Sequence, residues 1–556
     1  MKKSQVWEVD HTLDDHKTSA SDGGPKSDVD KAAVADVSDL LETPEEKKAR
    51  KRSHWVAYIT MFVMSIGYSI VLTGVWPYLK IINGSLDKEA LGWVVAANPF
   101  GQMIASPLLG WWGNKAGSIR GACITTIICF IFGNALYSCL YGIKNPETAY
   151  YVMIFARFVV GVSSGNVTLC RSYLAASTTQ KERTAGISIV AAAQALGFVV
   201  GPVIQAVLTV TVTETSGNGA FTWDKYTSAG WVAAILGLIN VVIMLPCVFQ
   251  EYPIAVKEQA LVNKNDGNEK PLKLPKPDYL GIGGILFAFF FVLFIYVLLE
   301  ALAEPFVTDM YAVTDDYAMV AVGIALAGAG LVCVGGFIGT TRLAKIYDER
   351  KLLIFLGLIP EVIGTCLYIP MGNTPIQMSN CSDTGPPEIF SNTSLMMADF
   401  TLPTFPPYGS FYSSLLREDS VDSEGCTLGC PTNQEWCLTV PQSSLAQVLV
   451  AFIITMSAYP VVNGLTQAIF SKMLGPRPQG LWMGVLTGVG SFARVTGPIF
   501  VSYVYSRLGT YYCFGILSVG MVLSLIEICL LYKRIVPMKI PRYNEGIDNK
   551  IAEDEV

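Results

Sequence analysis

The chain has 556 residues, of which 51% are hydrophobic and only 15% charged, with a formal net charge of −6. A soluble enzyme of this length carries far more charge, so the composition points to a polytopic membrane protein and away from a nucleic-acid partner. The three histidines, His11, His16 and His54, fall outside the predicted apolar segments, which argues against a buried histidine relay or metal site.

Residues 1–53 are polar, rich in Asp, Lys and Ser, and read as a disordered tail with no cleavable signal peptide. Within it, Asp36 followed by Leu40 and Leu41 fits the acidic dileucine pattern read by clathrin adaptors, which predicts delivery to lysosomes or late endosomes. Lys47, Lys48, Arg50, Lys51 and Arg52 then precede the first apolar segment and place the N-terminus in the cytosol by the positive-inside rule. Hydropathy predicts spans at 55–79, 91–112, 121–142, 150–174, 185–210, 229–249, 280–303, 317–340, 352–370, 443–470, 481–505 and 511–532. Twelve spans put both termini in the cytosol. Alternate loops agree, because Lys115, Arg120, Lys181, Arg183, Lys345, Arg350, Lys472 and Arg477 all fall on one side.

Sequons test the same topology, since acceptors are glycosylated only on the lumenal or extracellular side. Asn83, Asn380 and Asn392 lie in loops assigned there, whereas the sequon at Asn166 lies inside a span and reads as a buried helix residue. The long lumenal loop, 371–441, also holds Cys381, Cys426, Cys430 and Cys437, candidates for two disulfides with three possible pairings. No histidine stands near them, and no metal or cofactor is expected.

The stretch Tyr150–Pro202 holds two apolar segments around a polar turn. Arg157 is followed at four-residue steps by Gly161 and Gly165, and the second segment ends in Gly197, Gly201 and Pro202. A charge at that depth must face protein or water, and the glycines allow close approach of another helix. Gly201-Pro202 finds a counterpart in Gly497-Pro498, and the basic turn near Lys115 one near Lys345, as two repeats with one late insertion would produce. This pattern resembles the fourth and fifth helices of the major facilitator superfamily.

The likeness narrows in Trp76-Pro77-Tyr78-Leu79, Gly101-Gln102-Met103, Arg171-Ser172-Tyr173, Gln194-Ala195-Leu196-Gly197-Phe198, Leu474-Gly475-Pro476-Arg477-Pro478-Gln479-Gly480 and Ala493-Arg494. There the chain is similar to a glycosylated lysosomal branch of that superfamily to which a chloride permeability has been attributed. The resemblance implies an all-α fold of twelve transmembrane helices in two pseudo-symmetric six-helix halves, 54–249 and 279–532, joined by a cytosolic linker at 250–278 and followed by a cytosolic tail at 533–556. One departure is Asn114, where the superfamily usually has Asp, which puts gating contacts drawn by analogy in doubt.

Candidate transport residues follow from charge at depth. Arg157 and Arg494 lie deepest in apolar sequence and would either attract an anion or lock helices through an ion pair. Arg171 reads as a residue near the cytosolic end that snorkels outward. Glu300 and Glu304 share a face of the seventh span, and a carboxyl there could exchange protons with an acid lumen. Gln194, Tyr459 and Asn463 offer neutral polar groups to a solute or to neighbouring helices, while Glu361 and Glu527 are assigned to structure. No Gly-rich phosphate loop, Ser-His-acid set or ligand cluster suggests an enzyme. The expectation is a lysosomal transport protein mediating chloride or small-anion permeation. A proton-coupled exporter of a small organic solute and a non-transporting lumenal receptor or scaffold are the rivals.

Overall fold

A computed structural model describes residues 42–538 apart from 73, 85–87, 180–181, 213–214, 218, most of 253–275, 314, 380–428, 432–433 and 476. The sorting pattern at Asp36, Leu40 and Leu41, the sequons at Asn380 and Asn392, Cys381, Cys426 and most of the linker lie outside these residues. The chain divides into a short N-terminal unit, Met1–Lys48, and a large helical unit, Ala49–Val556.

Among the described residues the architecture is helical, with three isolated β-bridges and no strand. The helices are α1 (Pro44–Leu72), α2 (Val75–Ile82), α3 (Lys88–Ala116), α4 (Arg120–Ser138), α5 (Pro146–Ser164), α6 (Asn166–Ser177), α7 (Arg183–Thr211) and α8 (Thr227–Ile243). The second set is α9 (Tyr279–Tyr311), α10 (Asp315–Leu343), α11 (Glu349–Leu352), α12 (Ile359–Leu367), α13 (Leu445–Leu474), α14 (Gly480–Phe500) and α15 (Ser506–Leu530). A helix occupies each interval that hydropathy marks. Among the described residues, eight helical stretches are long and apolar enough to cross a membrane. Their number falls below twelve partly because α14 and α15 run together as Gly480–Leu530 and α8 has only 17 residues.

The first helix begins at Pro44, ahead of the predicted tail boundary at 53, so Lys47–Arg52 are helical. A capping box explains the early start: Thr43 Oγ1 accepts from the Glu46 amide at 3.3 Å, and the Glu46 carboxylate accepts from the Thr43 amide at 2.9 Å. His54 is thereby drawn into the helix, buried, with Nε2 2.9 Å from Ser177 Oγ. Between α11 and α12 the helix widens into a π turn, Leu353–Leu358. Pro360 lies just beyond and has no N–H to return to an earlier carbonyl, a local reason for the wider turn.

Buried apolar side chains fall into two large clusters, one drawn from residues 56–249 and the other almost wholly from 282–535. Many large apolar residues point outward instead, among them Leu108, Phe132, Val203, Ile324, Leu331, Ile453 and Leu530. An outer surface of that kind suits lipid and not water. The two cores meet along two seams, α3 against α14 and α7 against α10. At the first seam a Cβ added to Gly110 or Gly480 would collide with the other's carbonyl, and one on Gly484 would collide with the Ser106 carbonyl. Only hydrogen at these positions lets the backbones touch.

Of the four cysteines in the 371–441 stretch, Cys430 and Cys437 form a disulfide. The adjoining Trp436 covers Gly509, whose φ of 81° interrupts α15.

Candidate functional site at the junction of the two cores

Gln102 stands 14 residues before the end of α3 at Ala116, and Arg494 stands 14 residues after the start of α14 at Gly480. The two helices run antiparallel from the end that bears the basic loops, so both residues reach the same depth, roughly 20 Å in. Gln102 Oε1 there accepts from Ser491 Oγ at 3.0 Å and from Arg494 Nη1 at 3.4 Å, while Gln102 Nε2 donates to the Ser164 carbonyl at 3.0 Å. One glutamine thus ties the helix break between α5 and α6 to the opposite core.

That break, at Gly165, exposes polar groups to the junction. Asn166 is fully buried, as the reading of its sequon required, yet neither its Oδ1 nor its Nδ2 has a hydrogen-bond partner. With Tyr68, Asn98, Gln102, Gln194 and Arg494 it lines a cavity of about 30 Å³. That is room for a single water-sized group.

Arg157 lies on α5 and is 1% exposed. Its guanidinium faces the Tyr68 ring, with Cζ 5.3 Å from the ring centre, and Nε, Nη1 and Nη2 find no hydrogen-bond acceptor among the described residues. The close approach expected at its glycine neighbour is present, since a Cβ on Gly161 would strike the Asn98 carbonyl. Arg171 departs from the expectation of an outward snorkel. It is 6% exposed and its Nη2 donates to Gln194 Oε1 at 3.2 Å, so the side chain reaches inward, into electrostatic range of Arg494. The reason is local: α7 presents an amide acceptor beside it, and burial without one would leave more of the guanidinium unsatisfied. None of Arg157, Arg171 and Arg494 forms an ion pair with a carboxylate among the described residues.

Glu300 on α9 is surrounded by protein yet solvent-accessible, as a side chain on a cavity wall would be, and lies within electrostatic range of Arg494. One turn earlier Tyr296 stacks on Tyr459 of α13 with ring centres 4.5 Å apart. The Tyr459 hydroxyl accepts from Asn463 Nδ2 at 2.8 Å. These two neutral groups thus bond within α13, one turn apart. Glu304 is exposed near Pro305, away from this set, and Asn83 sits just beyond α2. Glu361 is buried in α12, within electrostatic range of Cys333 and Tyr368, and its Oε2 has no hydrogen-bond partner among the described residues.

At the basic end the cores are latched. Asn114 Oδ1 accepts from the Gly480 amide at 2.9 Å, capping α14 from the opposite core. The residue at the departure noted in the sequence, Asn114, thus makes a contact between the two cores. Thr184 donates to the Glu349 carboxylate, which also pairs with Lys472 at 2.6 Å, and Arg183 Nη1 donates to the Ser471 carbonyl at 3.4 Å.

The sequence profile of the Major Facilitator Superfamily matches residues 57–408 and 430–553. The chain belongs to that superfamily. It is 36% identical over 513 residues to major facilitator superfamily domain-containing protein 8 of Xenopus laevis, covering 90% of this chain and 95% of the relative. Multidrug resistance protein 2 of Bacillus subtilis is 29% identical over 143 residues, 26% of this chain and 33% of that protein. Among solved structures, the human organic anion transporter MFSD10 (TETRAN) superimposes with a TM-score of 0.55 at 15% identity, over 86% of this chain and 99% of that one. The proton:xylose symporter XylE gives 0.59 at 13% identity, over 89% and 97%. These two likenesses concern the fold. The chain is thus a multi-pass membrane transport protein of the superfamily.

Sequence reasoning missed Tyr68, Asn98, Gln102, Asn166 and Arg171 as members of the central set. One signal was available for Arg171. It lies 14 residues after Arg157, close to four helical turns, so both arginines fall on nearly one face of the same span.

Proposed function

We propose that this protein is a lysosomal transporter that carries chloride or another small anion between its two cores, with Arg157, Arg171 and Arg494 supplying the attraction. The observation that carries the reading is three buried or half-buried guanidinium groups around the junction without a carboxylate partner. A cation withdrawn from water needs a counter-charge or hydrogen-bond acceptors, and a transported anion provides both. The narrow polar cavity beside Arg494 favours a small ion at this point of the path. The latches at the basic end leave the structure closed on the side read as cytosolic. Passage then requires that the latches open and that the anion leave the amide-lined junction toward the basic end.

The decisive experiment is patch-clamp recording of enlarged lysosomes at acid lumenal pH, with chloride exchanged for a large impermeant anion. A current that follows the chloride gradient and disappears in Arg494→Ala, with delivery to lysosomes intact, supports the reading. An unchanged current in that variant removes Arg494 from the path.

One observation favours a second reading. Glu300, accessible and within range of Arg494, is placed to exchange a proton against a bound anion, as a proton-coupled carrier of an organic anion requires. Saturable flux that depends on a pH gradient and is uncoupled by Glu300→Gln would move the assignment to that class.

A further inference from the structure

A second cavity, of about 880 Å³, opens at the basic end and is bounded by both cores. Its volume lies within the range of about 300–1,000 Å³ common for small-molecule sites. Its walls come from the first turns of the membrane-embedded part of α1, the start of α7, the turn between α10 and α11, the end of α13 and the segment after α15. It shares no lining residue with the cavity beside Arg494.

The charges around it do not cancel. Three carboxylates line the cavity, and each already has a cation: Glu182 with Arg50 at 3.0 Å, Asp348 with Arg350 at 2.6 Å and Glu349 with Lys472 at 2.6 Å. Lys51 from the N-terminal core and Lys345 from the C-terminal core remain, both exposed and neither paired with a carboxylate among the described residues. Ala185 and Gly186, in the first turn of the 29-residue helix α7, also line the cavity. The N-cap residue Glu182 makes no side-chain cap, and the Arg183 and Gly186 amides donate to the Thr179 and Glu182 carbonyls, so the helix contributes its positive dipole end to the cavity. Ile189, Ile469 and Ile535 add apolar surface to the lining that suits the C–H face of an inositol ring or the glycerol end of a lipid.

We propose that this cavity binds a multiply phosphorylated anion of the inositol phosphate type, either as a lipid headgroup in the adjoining leaflet or as a soluble molecule. Surplus lysines on two bodies, a helix N-terminus and a roomy interfacial position are the features that such anions use. Because Lys51 and Lys345 belong to different cores, the bound anion bridges them and holds the basic end in the closed arrangement seen here. The site thus acts as a brake on opening, distinct from the transported ion.

The test uses the purified full chain, in lipid-free micelles with inositol hexakisphosphate and in nanodiscs with or without phosphatidylinositol 4,5-bisphosphate, read by binding and by the shift in Tm. Binding should raise Tm, and Lys51→Gln combined with Lys345→Gln should weaken it about tenfold or more. Lys51→Arg with Lys345→Arg should retain binding, and Lys276→Gln, exposed outside the cavity, should leave it unchanged. Stabilisation by the soluble probe identifies a soluble anion, and stabilisation by the lipid alone identifies the headgroup; both support the site. Equal stabilisation by sulfate at matched ionic strength, or unchanged affinity in a folded double glutamine variant, overturns it.

Discussion

Around the basic-end cavity each lining carboxylate has a cation within hydrogen-bond distance, whereas at the central junction the arginines have none. Depth makes the contrast informative. At the rim each carboxylate is met by a cation, twice across long stretches of chain, so the cost of shielding these charges is offset by their pairing. At mid-depth an unpaired guanidinium is expensive, and Arg157 finds no hydrogen-bond acceptor among the described residues for any of its three nitrogens. A chain built only for stability would place its spare cations at the rim and pair those at the centre. The rim does hold spare cations, Lys51 and Lys345, but every lining carboxylate there is paired, while the centre leaves its arginines without a carboxylate among the described residues, which marks it as a place where charge comes and goes.

The largest expected effect breaks the central half of this comparison. Arg157→Met removes a buried cation and leaves an apolar group of similar length, so Tm should hold or rise, by an amount equivalent to about 1–4 kcal/mol. Anion flux in proteoliposomes should fall about a hundredfold or more if the guanidinium serves the ion. Loss of Tm together with flux would instead make Arg157 a structural residue. Next in size is the α3–α14 seam. Gly484→Leu places a side chain against the Ser106 carbonyl, so the basic end should fail to close, with transport lost while the protein remains folded. Labelling of a cysteine introduced at Lys345 by a membrane-impermeant thiol reagent should quicken in that variant. Unchanged labelling would show that the seam is not the latch.

How legible these regions were from the sequence differs for physical reasons. Helix positions follow from local facts: apolar runs, and caps such as Asn145 before α5, Asp278 before α9 and Ser444 before α13, each accepting from backbone amides one turn on. The deep arginines were legible because charge within an apolar run is costly anywhere. Their partners were not, because a partner is a fact of tertiary packing. Gln102 and Arg494 lie 392 residues apart, and Asn114 and Gly480 lie 366 apart. Arg171 was misread for the same reason: distance from a helix end indicates where a side chain can reach, while the Gln194 amide that draws it inward stands on another helix.

A smaller effect is expected at the rim. Lys472 and Glu349 are largely shielded, so a double-mutant cycle with Lys472→Ala and Glu349→Ala should return a coupling of about 1.5–3 kcal/mol, read from denaturation in mild detergent. Coupling near zero would place the closing energy in the glycine seam alone.

The smallest effect concerns the outermost pair, and its sign is set by linkage. Burial pushes the Glu182 carboxyl up, but the Arg50 hydrogen bond and charge outweigh it, and the group is held below its ordinary value of 4.5. A carboxyl depressed in the folded protein contributes stability above its unfolded pKa, and that contribution is lost as pH falls through the folded value. Wild type should therefore exceed Glu182→Gln in Tm at pH 7, and the two should converge as pH falls below about 4. The gap at pH 7 should be small, below about 1 kcal/mol, and should shrink in high salt, because the Glu182 side chain is 44% exposed. A gap that does not shrink as pH falls through the carboxylate range would have to come from packing and not from charge. The rim pair would then lose its electrostatic character, and the contrast with the central arginines would rest on Glu349 and Asp348 alone.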